Sequence, residues 1–358
     1  METIAWFDRH DPANEPVLGG KNTSLGILTA AGLPVPPGFA VTAAAYRLAF
    51  QQTGIDVELD GLMAGLDPSD PGKLSTAGTT ARDLVIHAGL PAWLVDEIHS
   101  AYATLSERCD SVDLPVAVRS SATCEDQPDA SFAGEHDTYL WIRSADQVTD
   151  HLLRCWASLY TDRAIAYRRQ MSYPDAGAAM SVGIQQMVLP RAAGVAFTLN
   201  PLDGDRSQVA IDASWGLGEA VVSGSVTPDN FLVDKVLGEI TKRTISAKTV
   251  EHTLDGNDHV VEVEVDEARR CVACVTDDEI RAVARLARRA EKHYGRPQDV
   301  EWAIDPRLAE GENIVLLQSR PETVWSRRPR EHVDHNDMFR SMVGVLLDPN
   351  HGRVATTG

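Results

Sequence analysis

The chain has 358 residues, 43% hydrophobic and 6% aromatic, which is ample material for two packed lobes and too much for a disordered polypeptide. A formal net charge of -19 excludes a general nucleic-acid or anionic-membrane surface, since either partner needs a basic stripe, but leaves room for a local basic pocket. No apolar run reaches the roughly 18 residues of a membrane span, and the first residues lack the basic start and apolar core of a signal peptide, so a cytoplasmic protein is expected.

Residues 8–20 read as a turn-rich lead-in that ends in Leu18-Gly19-Gly20, followed by Lys21. A Walker loop would need glycine where Glu15 stands, so that phosphate loop is excluded. The pattern over 21–31 predicts a short helix. Its N-terminal N–H groups and the lysine both favour an anion, with a solvated surface lysine as the competing reading. The prolines of GLPVPPGF impose an extended connection. Helices are predicted over 42–52, 74–88 and 91–109, the last with proline in its first turn, and 56–73 reads as connecting structure.

The run PVAVRSSATCEDQPDASFAGEHDTYL, residues 115–140, begins as a β-branched strand and presents Arg119. It then breaks into a loop of Ser, Thr, Gly and acidic residues before resuming at Asp137. Backbone N–H groups, short hydroxyls and a guanidinium fork suit phosphate oxygens; a polar surface loop is the alternative. Residues 144–171 read as helical, with Leu152, Leu153, Trp156, Leu159 and Tyr160 recurring at helix spacing as core.

Residues 178–189 form an apolar strand interrupted by Gln185 and Gln186. A strand joining two lobes can offer its backbone to an adenine edge, and an ordinary buried strand is the alternative. Strands follow over 195–198 and 208–212. Glycines 216, 218 and 224 then permit tight turns around Glu219, which is suited to ribose hydroxyls, to a cation, or to a helix dipole. Further strands are expected over 240–265, with a turn at 255–257. Thr276 to Glu279 is a capping box opening a helix that runs to about Tyr294 and stops at Gly295.

Five scattered cysteines suit a reducing compartment, and the lone pair Cys271 and Cys274 lies in an alternating stretch that sends them to opposite faces, so no metal or redox role is expected. Residues 299–320 predict a hairpin. If Asp305 pairs with Ile314, Glu301 falls opposite Gln318 on one face, with Arg320 two residues along. A carboxylate and an amide oxygen so placed can ligate one Mg²⁺ beside a phosphate-binding arginine; a cross-strand polar cluster on a wet sheet face is the alternative. An Arg/Pro stretch after residue 324 reads as a linker.

Four motifs in this order, LGGKNTSLGILTAAGLPVPPGF, VRSSATCEDQPDASFAG, DVEWAI and LLQSRPET, resemble the ATP-binding domain of the phosphoenolpyruvate synthase, pyruvate phosphate dikinase and rifampicin phosphotransferase family. The resemblance implies an α+β, two-lobed ATP-grasp fold with the nucleotide between the lobes. Their expected limits are 1–180 and 181–325, with a linker-like tail at 326–358. It also implies catalytic phosphate contacts at Lys21, Arg119 and Arg320, further nucleotide contacts at Ser131, Gly134, Thr138 and Glu219, and an adenine hinge at Gln185 and Met187. Glu301 and Gln318 match the family's Mg²⁺ ligands. The segment GVAFTLNP resembles the family's GVxFTxNP but carries Leu199 where a small residue is commoner.

In such enzymes ATP phosphorylates a histidine on a separate swivelling domain, within a glycine-rich motif that this sequence lacks. The expectation is therefore the ATP-binding subunit of a split, AMP-forming phosphotransferase whose phosphohistidine carrier is another polypeptide. A chain of this size resembles subunits of phenylphosphate and cresol phosphate synthases, which implies a phenolic acceptor in aromatic degradation. Two alternatives are an excised ATP-binding domain of a phosphoenolpyruvate synthase or antibiotic phosphotransferase, and a non-catalytic nucleotide-sensing module.

Overall fold

The computed structural model describes residues 2–67, 70–123, 137–171 and 178–325, and by internal contact the chain divides into Met1–Glu322 and Thr323–Gly358. The tail expected at 326–358 and the loop residues Ser131 and Gly134 lie outside the described residues. Within the first unit, helices and antiparallel strands mix in an α+β arrangement around two large sheets.

The first sheet has five strands in the order β1-β2-β5-β3-β4, namely β1 (Ile4–Trp6), β2 (Gly38–Val41), β3 (Val116–Ala122), β4 (Thr138–Ile142) and β5 (Met180–Gln186). Its two faces differ because side chains alternate along a strand. Val116, Val118, Val182 and Ile184 enter a core with residues of the helical layer, which comprises α2 (Ala43–Thr53), α3 (Ile55–Met63), α4 (Pro71–Ala88), α5 (Ala92–Arg108), α6 (Ala145–Ala157) and α7 (Asp162–Gln170). The opposite face, carrying Ser181 and Gly183, is met by α1 (Glu15–Ala30), whose Asn22 donates to Ser181 Oγ at 2.9 Å.

Two expectations are corrected here. Much of 56–73, expected as connection, is helical: Leu59 and Met63 are buried at helix spacing with Ile55, and α3 forms because that apolar stripe outweighs the local glycine and aspartates. The helix expected over 144–171 is broken by a 3₁₀ turn at Ser158–Tyr160. Thr161 then accepts from the Ala164 N–H and starts α7 as a new helix. Leu152, Trp156, Leu159 and Tyr160 are core residues, as their spacing predicted.

The second sheet is built from β6 (Ala192–Phe197), β7 (Gln208–Trp215), β8 (Asp229–Asp234), β9 (Ile240–Thr244), β12 (Gln298–Ile304) and β13 (Ile314–Pro321). Their order is β13-β12-β6-β7-β8-β9. One face packs on α10 (Asp277–Tyr294), with Val283, Ala284, Ala287 and Ala290 meeting a core that includes Ile211, Phe231 and Trp302. The predicted capping box is formed: Thr276 Oγ1 accepts the Glu279 N–H while Glu279 accepts the Thr276 N–H. Two short helices, α8 (Glu219–Val222) and α9 (Glu267–Arg270), flank β10 (Val250–Leu254) and β11 (Val260–Glu264), which form a separate two-stranded sheet.

β5 pairs with β2 and β3, so residues 180–186 lie in the first sheet and the passage to the second runs through 187–191. Leu28 at the end of α1 and Leu33 beyond it belong to the core of the second sheet, so the first helix is shared between the two layers.

Candidate functional site

The β12–β13 hairpin places the acidic residues. Ile304, Ala303 and Trp302 face Ile314, Val315 and Leu316; a bulge then shifts the register, so that Glu301 faces Gln318, Val300 faces Ser319 and Asp299 faces Arg320. The predicted Glu301–Gln318 pair is present, although the hairpin starts one residue off the expected register. One extra residue in β13, Leu317, makes up the difference. Strand alternation puts Asp299 and Arg320 on the same face as Glu301 and Gln318, and Arg320 Nε lies 3.3 Å from Asp299 Oδ2.

Burial pushes the Asp299 carboxyl up to about 6, against the pull of Arg320, with Glu322 and Glu301 adding to the push. Its Oδ1 is buried without a hydrogen-bond partner among the described residues. Carboxylate and amide oxygens on one face, with an orphaned carboxylate oxygen beside them, fit a hard divalent cation that completes its shell with water and phosphate. Asp299 escaped the sequence reading, although its position two residues before Glu301 on an alternating strand was the available signal.

The helix α1 and the strand β3 both reach the end strand β13. α1 is kinked at Gly19, which has φ +66, and restarts at the residues that carry Lys21. A Cβ at Gly19 would lie 2.5 Å from both the carbonyl oxygen and Oγ of Ser121, so only glycine lets the chain come this close. Lys21 Nζ is 3.4 Å from the Ser120 carbonyl. One turn on, Ser24 Oγ donates to the Ser319 carbonyl at 2.8 Å and lies 2.8 Å from the Tyr294 hydroxyl. From β3, Arg119 Nη1 donates to the Leu317 carbonyl at 3.2 Å, and its Nε is buried without a hydrogen-bond partner among the described residues. The carbonyls of Leu317 and Ser319 flank Gln318, so α1 and β3 are both hydrogen-bonded to β13 next to that residue.

Gly19→Ala is expected to destabilise the protein by about 2 kcal/mol, from a forced left-handed alanine plus contact with backbone. An unchanged urea midpoint would show that the kink tolerates a side chain.

A separate apolar cluster lies beyond the end of β5. Ala117, Trp141, Met187 and Leu217 are buried together, with Leu140, Leu189, Leu254 and Val260 packed against them. Met187, predicted at an adenine hinge, contributes its side chain here. Gln185, predicted beside it, is 2% exposed and its Nε2 donates to the Pro36 carbonyl at 3.2 Å. The N–H groups of Gln186 and Met187 donate to the carbonyls of Pro37 and Pro115, so these strand donors are taken within the protein. Thr138 faces Arg119 across β3 and β4 and is exposed. Glu219 opens α8, with His252 Nδ1 3.4 Å from its carboxylate. Cys271 is exposed and Cys274 buried, but they lie in a turn after α9 rather than on the alternating strand expected.

Residues 15–341 match the family described as "Pyruvate phosphate dikinase, AMP/ATP-binding domain". The chain belongs to this family. It is 41% identical over 331 residues to a "Probable phosphoenolpyruvate synthase" of Methanocaldococcus jannaschii, a match covering 92% of this chain and 27% of that protein. The namesake of Methanothermobacter thermautotrophicus is 40% identical, covering 99% of this chain and 51% of the relative. The "Phosphoenolpyruvate synthase" of Deinococcus radiodurans is 41% identical, covering 92% and 43%. The chain thus spans between about a quarter and a half of the length of these relatives. Among the described residues, no helix is long and apolar enough to cross a membrane.

Proposed function

We propose that this chain is an ATP-grasp domain that binds ATP between its two sheets and activates it for AMP-forming transfer to a histidine carrier, as the nucleotide-binding part of a phosphoenolpyruvate-synthase-type dikinase. One observation carries the reading. Hydrogen bonds from Ser24 and Arg119 to the carbonyls flanking Gln318 tie the stretches that carry Lys21 and Arg119 to the strand that carries Gln318, which supports a shared phosphate and cation site. In this reading the base borders the apolar cluster of Ala117, Trp141, Met187 and Leu217.

In this reading Lys21, Arg119 and Arg320 offset charge on the transferring phosphate, and Thr138, with the loop residues Ser131 and Gly134, contacts the phosphates. Met187 and Gln185 bound the base, and Glu219 meets the ribose. Glu301 and Gln318, with Asp299 beside them, would hold Mg²⁺, which supplies Lewis-acid polarisation of phosphate oxygens when bound. The carrier and the site of the final acceptor belong to another domain or polypeptide, in the cytoplasm where ATP is available.

The names of the relatives favour a phosphoenolpyruvate synthase over a phenol- or cresol-phosphorylating enzyme. Titration calorimetry with MgATP is expected to give a Kd of about micromolar order. ATP labelled at the β-phosphate, incubated with the chain and lysate of its source organism, is expected to leave acid-labile label on a histidine. Absence of ATP binding would overturn the reading. Binding with no labelled polypeptide would favour the nucleotide-sensing alternative.

A further inference from the structure

The β10–β11 hairpin lies outside both large sheets, yet one of its residues touches the Gly216–Glu219 turn twice. The His252 carbonyl accepts the Leu217 N–H at 2.9 Å, and the backbone of His252 bridges to Gly216. Gly216 has φ +71, and a Cβ there would lie 2.3 Å from the His252 carbonyl oxygen, so the close approach depends on glycine. The His252 ring sits between two carboxylates, with Nδ1 3.4 Å from Glu219 Oε2 and Nε2 3.4 Å from Glu262 Oε2. The ring is 16% exposed, whereas Glu219 and Glu262 are 52% and 54% exposed, so the histidine is the fixed member of the trio.

The hairpin itself is held at its base. Arg269 forks onto Glu251 at 3.1 and 3.3 Å, lies 4.4 Å over the Trp215 ring, and accepts from Trp215 Nε1 through its own carbonyl. Further along, Leu254 and Val260 pack onto the apolar cluster that also contains Leu217 and Met187. His252 therefore sits where cluster and carboxylate meet: its backbone sets Leu217 and its ring faces Glu219.

We propose that His252 is a positioning residue for the nucleoside, holding the Glu219 carboxylate where it accepts a ribose hydroxyl, with Glu262 orienting the ring from the other side. This rests on the reading that the chain takes ATP with its nucleoside beside the apolar cluster. An exposed carboxylate without such a neighbour loses its orientation to solvent and side-chain entropy, so the ring's contribution should appear as selectivity for the intact ribose.

The test is calorimetric binding of MgATP and of Mg-2′-deoxy-ATP to the whole chain and its variants. The unmodified chain should bind ATP about tenfold more tightly than the deoxy analogue. His252→Phe should weaken ATP about tenfold while moving the deoxy analogue by less than about twofold, and His252→Asn, whose amide can replace Nδ1, should restore most of the preference. If His252→Phe fails to fold, Glu262→Gln on the exposed rim carries the same test and should lower the preference by about threefold. Equal losses for both nucleotides in His252→Phe, or an unchanged preference in a folded variant, would overturn the assignment. Binding without any preference in the unmodified chain overturns it while leaving the ATP reading intact; no binding at all overturns both.

Discussion

Glu301→Ala is expected to lower ATP-dependent label transfer by about a thousandfold or more while the protein stays folded. Glu301 lies on a partly exposed sheet face between Gln318 and Val195, with Asp299 two residues along on the same strand, and is itself only partly buried. Truncation there creates no core cavity, so the change in stability should stay within about 1 kcal/mol. Its carboxylate faces Gln318, and in the proposed site losing it removes a charge that would hold a divalent cation against the phosphates. Label transfer and urea unfolding of the same preparation separate the two effects. Undiminished transfer would remove Glu301 from the metal site; a large fall in the unfolding midpoint would recast it as structural.

Lys248→Met is expected to cost about 3–5 kcal/mol, more than any surface change in the protein. Lys248 and Asp229 are both fully buried, with Nζ 2.6 Å from Oδ1. The same carboxylate accepts the Ser246 N–H at 2.9 Å and the Cys274 N–H at 3.0 Å, while Lys248 Nζ also donates to the Ser246 carbonyl at 3.0 Å. Asp229 thus ties β8, the segment leading into β10, and the segment leading into α10 at one point. Removing the lysine alone leaves a buried carboxylate with hydrogen-bond donors but no countercharge. Asp229→Asn with Lys248→Met should be markedly less harmful than the sum of the single changes, because the pair is desolvated together. Guanidinium unfolding of both single variants and the double variant gives the coupling directly, and additive losses would show that the two side chains act independently. Because this pair anchors the segment that leads to His252, Lys248→Met should also erode the preference for ATP over its deoxy analogue.

Local features were legible where their physics is local. The Thr276 and Glu279 capping box and the stop at Gly295 need only neighbouring residues, and α10 forms between them. Alternation over 299–305 assigned Glu301 and Gln318 to one face, and that face is present. It was reached for an incomplete reason, since the uniform register assumed from sequence is replaced by a shorter hairpin with a bulge. Which residue is extruded depends on β6 and on the linker carbonyl of Pro34, which accepts the Leu316 N–H, and neither can be read from the hairpin. The helix α3 was missed because glycine and aspartate weigh against a helix locally, whereas burial of Ile55, Leu59 and Met63 is granted only by the rest of the first sheet's helical layer.

By itself, the sequence determined the class of fold, the family motifs and most of the side chains that a phosphate and a cation would need, because these follow from residue type, caps and strand alternation. Only the tertiary structure decided how they meet. Arg119 reaches the carbonyl of Leu317 and Ser24 that of Ser319 across most of the chain's length, and the half-buried partner of Glu219 proved to be a histidine on a separate hairpin. Contacts between residues so far apart in the chain form only when two sheets close on one another, and no local pattern encodes that closure.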